Sequence, residues 1–136
     1  MNQNKNNHET FLRVRYGETD QMGVVYHANY ATYFEVARTE WLRAYGMTYK
    51  NMEASGIMLP VVSLNISYKK PARYDDLLKV KTSVKKLPSV AIEFIYELYN
   101  DREELLATGE TKLAFVNTTT GKLTKCPEEL LDQLHK

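Results

Sequence analysis

The residues best suited to chemistry lie in one short segment between Glu18 and Tyr30, which reads E-T-D-Q-M-G-V-V-Y-H-A-N-Y. Asp20 offers a carboxylate that could attack an electrophile or deprotonate water, and His27 could orient that acid or hold a water molecule. A helix is expected to begin directly afterwards, and its first N–H groups carry partial positive charge. An acid at such a position can take part in a reaction, but it can equally be an ordinary cap or turn residue.

The elements around this segment follow from hydrophobic spacing. Polar and apolar residues alternate from 10 to 16, with Leu12, Val14 and Tyr16 on one face, which predicts a strand. From 28 to 45 the apolar residues change to helical spacing, which predicts one long amphipathic helix that ends at Gly46. A short second helix is expected at 48–54.

The rest of the chain is dominated by strand patterns. Strands are expected at 60–68, 78–85, 90–99, 105–117 and 122–125, with a hairpin loop at 100–103 and a final helix at 128–135. The long helix needs a broad apolar surface to cover it, and one curved antiparallel sheet provides that surface. The sequence therefore predicts an α+β fold with about five to six strands wrapped around one long central helix. The edges and outer face of such a sheet favour oligomerisation.

Length and composition limit the possible functions. The 136 residues suit a disordered lead at 1–8 followed by a single domain at 9–136, and a net charge of +1 gives no electrostatic reason to expect nucleic acid as a partner. No apolar run reaches the roughly 20 residues of a membrane span, and the N-terminus lacks a secretory signal, so a cytoplasmic protein is expected. The only cysteine, Cys126, excludes an internal disulfide, and no metal or other cofactor is expected.

Two blocks of the chain resemble a known family. The stretch R-V-R-Y-G-E-T-D-Q-M-G-V-V-Y-H-A-N-Y-A-T-Y-F-E-V-A-R-T-E-W-L-R, 13–43, and the later Y-K-K-P-A-R-Y-D-D-L-L, 68–78, are similar to the 4-hydroxybenzoyl-CoA thioesterase family of the hotdog-fold superfamily. The resemblance runs from 11 to 117. It implies an acyl-CoA thioester hydrolase with the hotdog fold, assembled as a homodimer or homotetramer, with the active site at the dimer interface.

The resemblance also implies roles for individual residues. Asp20 would act as nucleophile or general base, and backbone N–H groups around Gly23, Tyr26 and His27 would polarise the thioester carbonyl. A thioester suits this arrangement, because its carbonyl is already electrophilic and its thiolate leaves readily, so hydrolysis needs mainly a carboxylate and oxyanion stabilisation. Whether His27 takes part in catalysis or only supports the loop is left open by the sequence.

Substrate-binding residues are expected on both sides of the site. Val25, Asn29 and Tyr30 would contact the substrate, although Asn29 could instead cap the helix. The phosphates of CoA would be held by the basic cluster Lys69, Lys70 and Arg73, which could also be only a solvated strand end. A second basic stripe, Lys79, Lys81, Lys85 and Lys86, is a weaker candidate. Glu35 is interpreted as structural, with Arg38 as a nearby ion partner.

Two other functions are compatible with the sequence. One is a hotdog hydratase or dehydratase, which would need a histidine and an acid for proton transfer, and His27 with Asp20 is the only plausible pair. The other is a non-catalytic acyl-CoA binding module, which the intact acid disfavours. The acyl group and the choice between CoA and acyl carrier protein depend on a pocket that one chain does not reveal.

Overall fold

A computed structural model describes residues 6–135 as one five-stranded antiparallel sheet, a two-stranded sheet and three helices. The strands are β1 (His8–Arg13), β2 (Ile57–Met58), β3 (Val61–Tyr68), β4 (Leu77–Val84), β5 (Ala91–Tyr99), β6 (Leu105–Ala114) and β7 (Val116–Asn117), and the helices are α1 (Asn29–Ala44), α2 (Tyr49–Ala54) and α3 (Glu128–His135). The large sheet has the order β1-β4-β5-β6-β3, and β2 pairs with β7.

The long helix α1 lies against one face of the large sheet. Its buried stripe consists of Tyr30, Tyr33, Phe34, Ala37, Arg38, Trp41 and Leu42. Phe34 stacks on Tyr96 of β5 with ring centroids 4.4 Å apart, and Trp41 meets Phe94 edge-on at 5.1 Å. These contacts bury the helical stripe on the alternate residues of β5 that face it, as the predicted architecture requires.

The predicted element boundaries differ from the structure in three places. The first strand ends at Arg13, and Tyr16 is exposed rather than on the core face, because 16–18 form a short 3-10 turn. The strand expected at 105–117 is divided at Phe115 into β6 and β7. The segment 122–125 forms no strand and contributes only a single bridge between Leu123 and Val116.

Part of the predicted disordered lead is held by α1. The carbonyl of Asn6 accepts the Trp41 indole N–H at 2.6 Å, the carbonyl of Asn7 accepts the Tyr45 hydroxyl at 3.3 Å, and β1 begins at His8. The remainder of that predicted lead, 1–5, lies outside the described residues. Among residues 6–135, no helix combines the length and the apolar character needed to cross a membrane.

One edge of the large sheet carries an unusual amount of exposed apolar surface. β3 pairs with β6 on one side only, and seven of its eight residues are exposed. Its large exposed side chains are Val61, Val62, Leu64 and Tyr68. An edge strand of this kind offers both unpaired backbone groups and apolar side chains to another chain.

Candidate active site

Asp20 begins a tight turn that leads the chain back towards α1. Its N–H donates to Val24 O at 2.8 Å, and the Gly23 N–H donates to Asp20 O at 3.0 Å. Gly23 has φ +81, a conformation that glycine adopts without steric cost. Asp20 Oδ1 accepts the N–H groups of Met22 at 2.8 Å and Val24 at 3.4 Å. Asp20 is therefore an exposed turn residue whose other oxygen, Oδ2, accepts no hydrogen bond within residues 6–135.

Glu18 fastens this loop to α1. Its backbone O accepts the Tyr26 N–H and the Asn29 side-chain amide, both at 2.9 Å. Its carboxylate accepts the N–H and Nε of Arg15 at 3.0 and 2.8 Å, and the Tyr33 hydroxyl at 2.8 Å. Burial acts to raise the pKa of Glu18, but the hydrogen bonds from Arg15 and Tyr33 outweigh it and hold that pKa below its ordinary value. Glu18 therefore stabilises the loop, and its carboxylate is already hydrogen-bonded to Arg15 and Tyr33.

A pocket of about 320 Å³ opens beside the start of α1. Its lining consists of Val25, His27, Tyr30, Tyr68, Lys69, Lys70 and Pro71. Tyr68, the last residue of β3, donates its hydroxyl to His27 O at 3.0 Å and meets the Tyr30 ring edge-on at 4.9 Å. The buried Tyr30 hydroxyl in turn accepts the Ala72 N–H at 3.1 Å. These contacts join the end of the edge strand to the start of the helix and form the pocket wall.

The backbone N–H groups of His27 and Ala28, just before α1, have no acceptor within residues 6–135. The N–H groups of Gly23 and Tyr26 are both used inside the loop, as described above, and the Asn29 N–H donates to Tyr26 O at 2.9 Å. The first N–H groups of a helix lack intrahelical acceptors and carry partial positive charge, so an unpaired pair of them is suited to an anionic oxygen. Of the three amides predicted as oxyanion donors, the His27 amide is thus open in this conformation.

The other predicted site residues surround the pocket without lining it. Asn29 does not cap α1, because Ala28 holds that position and the Asn29 side chain is bound to the Glu18 carbonyl. Arg73 is exposed on the loop that bridges to Val24. Asp20 also lies outside the pocket lining. In one chain, the pocket therefore brings together five of the predicted site residues, namely Val25, His27, Tyr30, Lys69 and Lys70. The predicted catalytic acid, Asp20, does not line it.

The basic residues differ in how they are paired. Lys70 forms an ion pair with Glu104 at 3.4 Å, whereas Lys69 and Arg73 form none among the described residues. In the second stripe, Lys79 pairs with Glu103, Lys85 pairs with Glu93 and Glu110, and Lys86 pairs with Glu93. Lys81 lies over the Tyr99 ring at 5.2 Å from its centroid. Because acids of the sheet neutralise most of the second stripe, the first cluster is the better anion site.

Glu35 is exposed on α1, and its carbonyl accepts the Thr39 hydroxyl at 2.8 Å. The expected ion pair between Glu35 and Arg38 is wrong, because Arg38 faces the interior and is 8% exposed. Within residues 6–135, no three His, Cys, Asp or Glu side chains gather in a way that could hold a metal ion.

Two contributors to this region, Tyr68 and the Ala28 amide, were not assigned from the sequence. Tyr68 was visible only as the end of a strand, and its contact with His27 spans 41 positions of the chain. The Ala28 amide gives no sequence signal, because any residue type supplies a backbone N–H. Glu18, two residues before Asp20, was expected to support the site or to be exposed, and its hydrogen bond from Tyr33 depends on how α1 packs against the loop.

Together, the sheet order, the single long helix and the pocket at its start define a hotdog-fold domain of the thioesterase type. The chain belongs to the thioesterase-like superfamily, whose family model matches residues 14–134. The predicted fold class and the resemblance to hotdog thioesterases are thereby confirmed.

Individual relatives agree with this assignment. The chain is 45% identical over 94 residues to YneP of Bacillus subtilis, which covers 69% of this chain and 68% of that protein. It is 36% identical over 125 residues to the acyl-CoA thioesterase YbgC of Haemophilus influenzae, with 91% of each protein covered. The crystal structure of a DHNA-CoA thioesterase from Staphylococcus aureus has 43% identity and a TM-score of 0.84, and the match covers 88% of this chain and 80% of that one.

Proposed function

We propose that this protein hydrolyses acyl-CoA thioesters to a carboxylic acid and free CoA. The observation that carries the proposal is the pocket at the start of α1, lined by His27, an aromatic wall and two lysines, together with the His27 and Ala28 N–H groups, which have no acceptor among residues 6–135. Relatives support it, since the acyl-CoA thioester hydrolase YbgC of Escherichia coli is 31% identical over 120 residues, covering 88% of this chain and 90% of that protein. The cytoplasmic location expected from the sequence stays a prediction.

The proposed chemistry divides between the helix start and the acid. The N–H groups of His27 and Ala28 bind the thioester carbonyl oxygen and stabilise the negative charge that develops there. Asp20 either attacks the carbonyl carbon or takes a proton from a water molecule that attacks it. In both routes a C–O bond forms and the C–S bond breaks, CoA leaves as the thiolate, and water supplies the oxygen and the protons of the products.

The turn presents Asp20 in a form compatible with this role. Two amide hydrogen bonds to Oδ1 fix the carboxylate, while Oδ2 remains available at the protein surface. A fixed acid loses less entropy on reaching its reactive geometry than a mobile one. Because the pocket of one chain does not include Asp20, we propose that the site is completed when two copies associate.

The surface proposed for this association is the exposed edge strand β3. Val61 and Val62 at its start would be covered by a second copy, and the same strand ends at Tyr68 in the pocket wall, so the interface and the site are continuous. Val62→Glu should shift the protein from dimer to monomer in light scattering and lower its activity. Leu123→Glu, at an apolar residue outside β3 that is 61% exposed, is the matched control. A monomeric wild-type protein would contradict this arrangement.

The CoA phosphates are proposed to bind the basic cluster at the pocket mouth. Lys69 is the best single probe, because it lines the pocket and has no ion pair among residues 6–135. Lys69→Ala should raise KM severalfold, with a smaller effect on kcat, and the difference should shrink at high salt. Lys122→Ala, an exposed lysine outside the pocket lining, serves as control.

The decisive experiment measures thiol release from a panel of acyl-CoAs by wild type and Asp20→Asn. The asparagine keeps an oxygen acceptor for the Met22 and Val24 amides, so the turn should persist while the acid is lost. We expect turnover to fall by about a hundredfold or more. Asp75→Asn is the control, because Asp75 is exposed and its φ of +69 is one that asparagine tolerates. Turnover near the wild-type value in folded Asp20→Asn would refute the assignment.

A further inference from the structure

Arg38 is a buried cation near the middle of α1. It is 8% exposed, and its Nε donates to the Tyr49 hydroxyl at 3.3 Å. The other polar group beside it is the Tyr96 hydroxyl, which shares a 2.6 Å hydrogen bond with Thr111. None of the ion pairs within residues 6–135 involves Arg38. Within that range, the guanidinium has the neutral hydroxyl groups of Tyr49 and Tyr96 beside it and no counter-charge.

Such an arrangement is electrostatically incomplete. A guanidinium keeps its proton in proteins, and a charge removed from water is costly unless an opposite charge accompanies it. Burial acts to lower the pKa of Arg38, but the hydroxyl groups of Tyr96 and Tyr49 outweigh burial and raise it. The positive charge therefore persists inside the fold, where it would bind an anionic oxygen more strongly than a cation in water would.

Arg38 also lies in line with the candidate active site. Tyr30 lines the pocket, and Phe34 and Arg38 follow it at successive turns of the same buried stripe, about 12 Å along α1. β3 extends over a similar distance. From Tyr68 in the pocket wall to Leu64 is about 13 Å, and Leu64 pairs with Thr111, the hydrogen-bond partner of Tyr96. β3 is therefore linked to α1 through the Tyr68–Tyr30 contact at one end and through Thr111 and Tyr96, beside Arg38, at the other.

The face of β3 that adjoins the pocket carries apolar side chains with solvent exposure. The Tyr68 ring contacts Tyr30, so the face of β3 that carries Tyr68 is the one turned towards α1. Alternation places Ile66 and Leu64 on the same face, and both retain solvent exposure, Leu64 to 46%. An apolar floor with one buried cation at its far end suits a molecule that is apolar in the middle and negatively charged at its tip.

We propose that Arg38 recognises an anionic oxygen, a carboxylate or an acidic hydroxyl, at the far end of the acyl group of the substrate. This inference rests on the proposed thioesterase function, with the thioester carbonyl held at the His27 and Ala28 amides. The acyl group extends from there over Ile66 and Leu64, and its terminal oxygen meets the guanidinium between Tyr49 and Tyr96. Arg38 is then a specificity-determining residue that does not contact the reacting atoms.

The test compares acyl-CoAs of equal length that differ only at the tip: adipoyl-, suberoyl- and sebacoyl-CoA against hexanoyl-, octanoyl- and decanoyl-CoA. We expect wild type to show a kcat/KM at least about tenfold higher for the best carboxylate-tipped substrate than for its partner. Arg38→Met should remove that ratio, and Arg38→Lys should keep part of it. Arg43→Met, an exposed arginine of the same helix, should keep the wild-type ratio.

The outcomes separate specificity from a purely structural role. If Arg38 only stabilises α1, or if it contacts a carboxylate of a second copy, Arg38→Met lowers kcat/KM for both substrates of each pair by the same factor. That result overturns the inference. A wild-type preference for the uncharged tip overturns it without any variant, even if Arg38→Met fails to fold. Hydrolysis of octanoyl-CoA without that preference leaves the thioesterase proposal intact.

A binding measurement decides the case in which no thioester is hydrolysed. Absence of thiol release would refute the proposed function, but Arg38 could still be examined by calorimetry of suberoyl-CoA and octanoyl-CoA with the wild-type protein. Tighter binding of suberoyl-CoA that is lost in Arg38→Met would support the anion site. Equal affinities for the two ligands would overturn it.

Discussion

Gly109 lies in β6 at the point where Phe34 packs against the sheet. A methyl group added at Gly109 would lie 2.5 Å from Phe34 Cε2, 3.1 Å from its Cδ2 and 3.2 Å from Asn65 O. The Phe34 ring has little space to move away, because it is fully buried and stacks on Tyr96. We therefore predict that Gly109→Ala destabilises the protein by forcing α1 away from the sheet.

The magnitude follows from two opposing effects. Adding atoms to a well-packed core costs about 1–3 kcal/mol. Alanine also restricts the unfolded chain, which returns about 0.4–1 kcal/mol where the backbone is compatible. The backbone of Gly109 lies outside the left-handed region, so no backbone strain adds to the cost. A net loss of about 1–2 kcal/mol is expected, or a decrease in Tm of roughly 4–8 °C for a chain of this length.

Urea unfolding followed by the fluorescence of Trp41, the only tryptophan and fully buried, measures this loss. Gly17→Ala is the matched control, since nothing lies within 4 Å of an added Cβ there, and its stability should stay within about 0.5 kcal/mol of wild type. Shortening the obstructing side chain in the double variant Gly109→Ala, Phe34→Leu should recover part of the loss. A Gly109→Ala protein as stable as wild type would refute the packing argument.

Three further predictions concern the loop, the pocket wall and the cysteine. Because the pKa of Glu18 is lowered in the folded protein, the ionised carboxylate stabilises the fold at pH values above its ordinary pKa, and this stabilisation is lost as the pH falls through the pKa of the folded state. Glu18→Gln should therefore have a lower free energy of unfolding than wild type at neutral pH, and unfolding curves measured in acid should show a smaller difference between the two proteins. Tyr68→Phe loses the hydrogen bond to His27 O and should lower kcat/KM for acyl-CoA severalfold while changing the free energy of unfolding by less than about 1 kcal/mol; an unchanged kcat/KM would exclude the hydroxyl from the site. Burial raises the pKa of the Cys126 thiol to about 12, so a disulfide reagent should label it slowly in the native protein and quickly in urea, and fast native labelling would contradict its burial.

Much of the architecture could be read from the sequence, because it is encoded in short repeating patterns. The helix predicted at 28–45 occupies Asn29–Ala44, and the last helix lies at Glu128–His135 as predicted. Strand patterns likewise located β3, β4 and β5 to within one residue. The long motif from Arg13 to Arg43 indicates the family without a structure, because the family is recognised by the residue types of this motif and their spacing.

The predictions are wrong where the packing of the folded chain departs from what the local residue pattern indicates. Alternation continued to Tyr16, but the chain turns at that point because Arg15 and Glu18 bind each other and close the 3-10 turn. The spacing of Arg38 beside Glu35 suggested a surface ion pair. The side chain is instead enclosed between α1, α2 and the sheet, since the face of a helix that becomes buried depends on which elements cover it.

The sequence by itself determined the elements, the family and the residue types available for chemistry. Only the tertiary structure decided that the N–H groups of His27 and Ala28 have no acceptor among the described residues, that His27, Tyr68 and Lys69 line one pocket, and that Arg38 has no counter-charge in the same part of the chain. The physical reason is that hydrogen-bond satisfaction and burial depend on partners distant in the chain, which only the folded arrangement brings into contact.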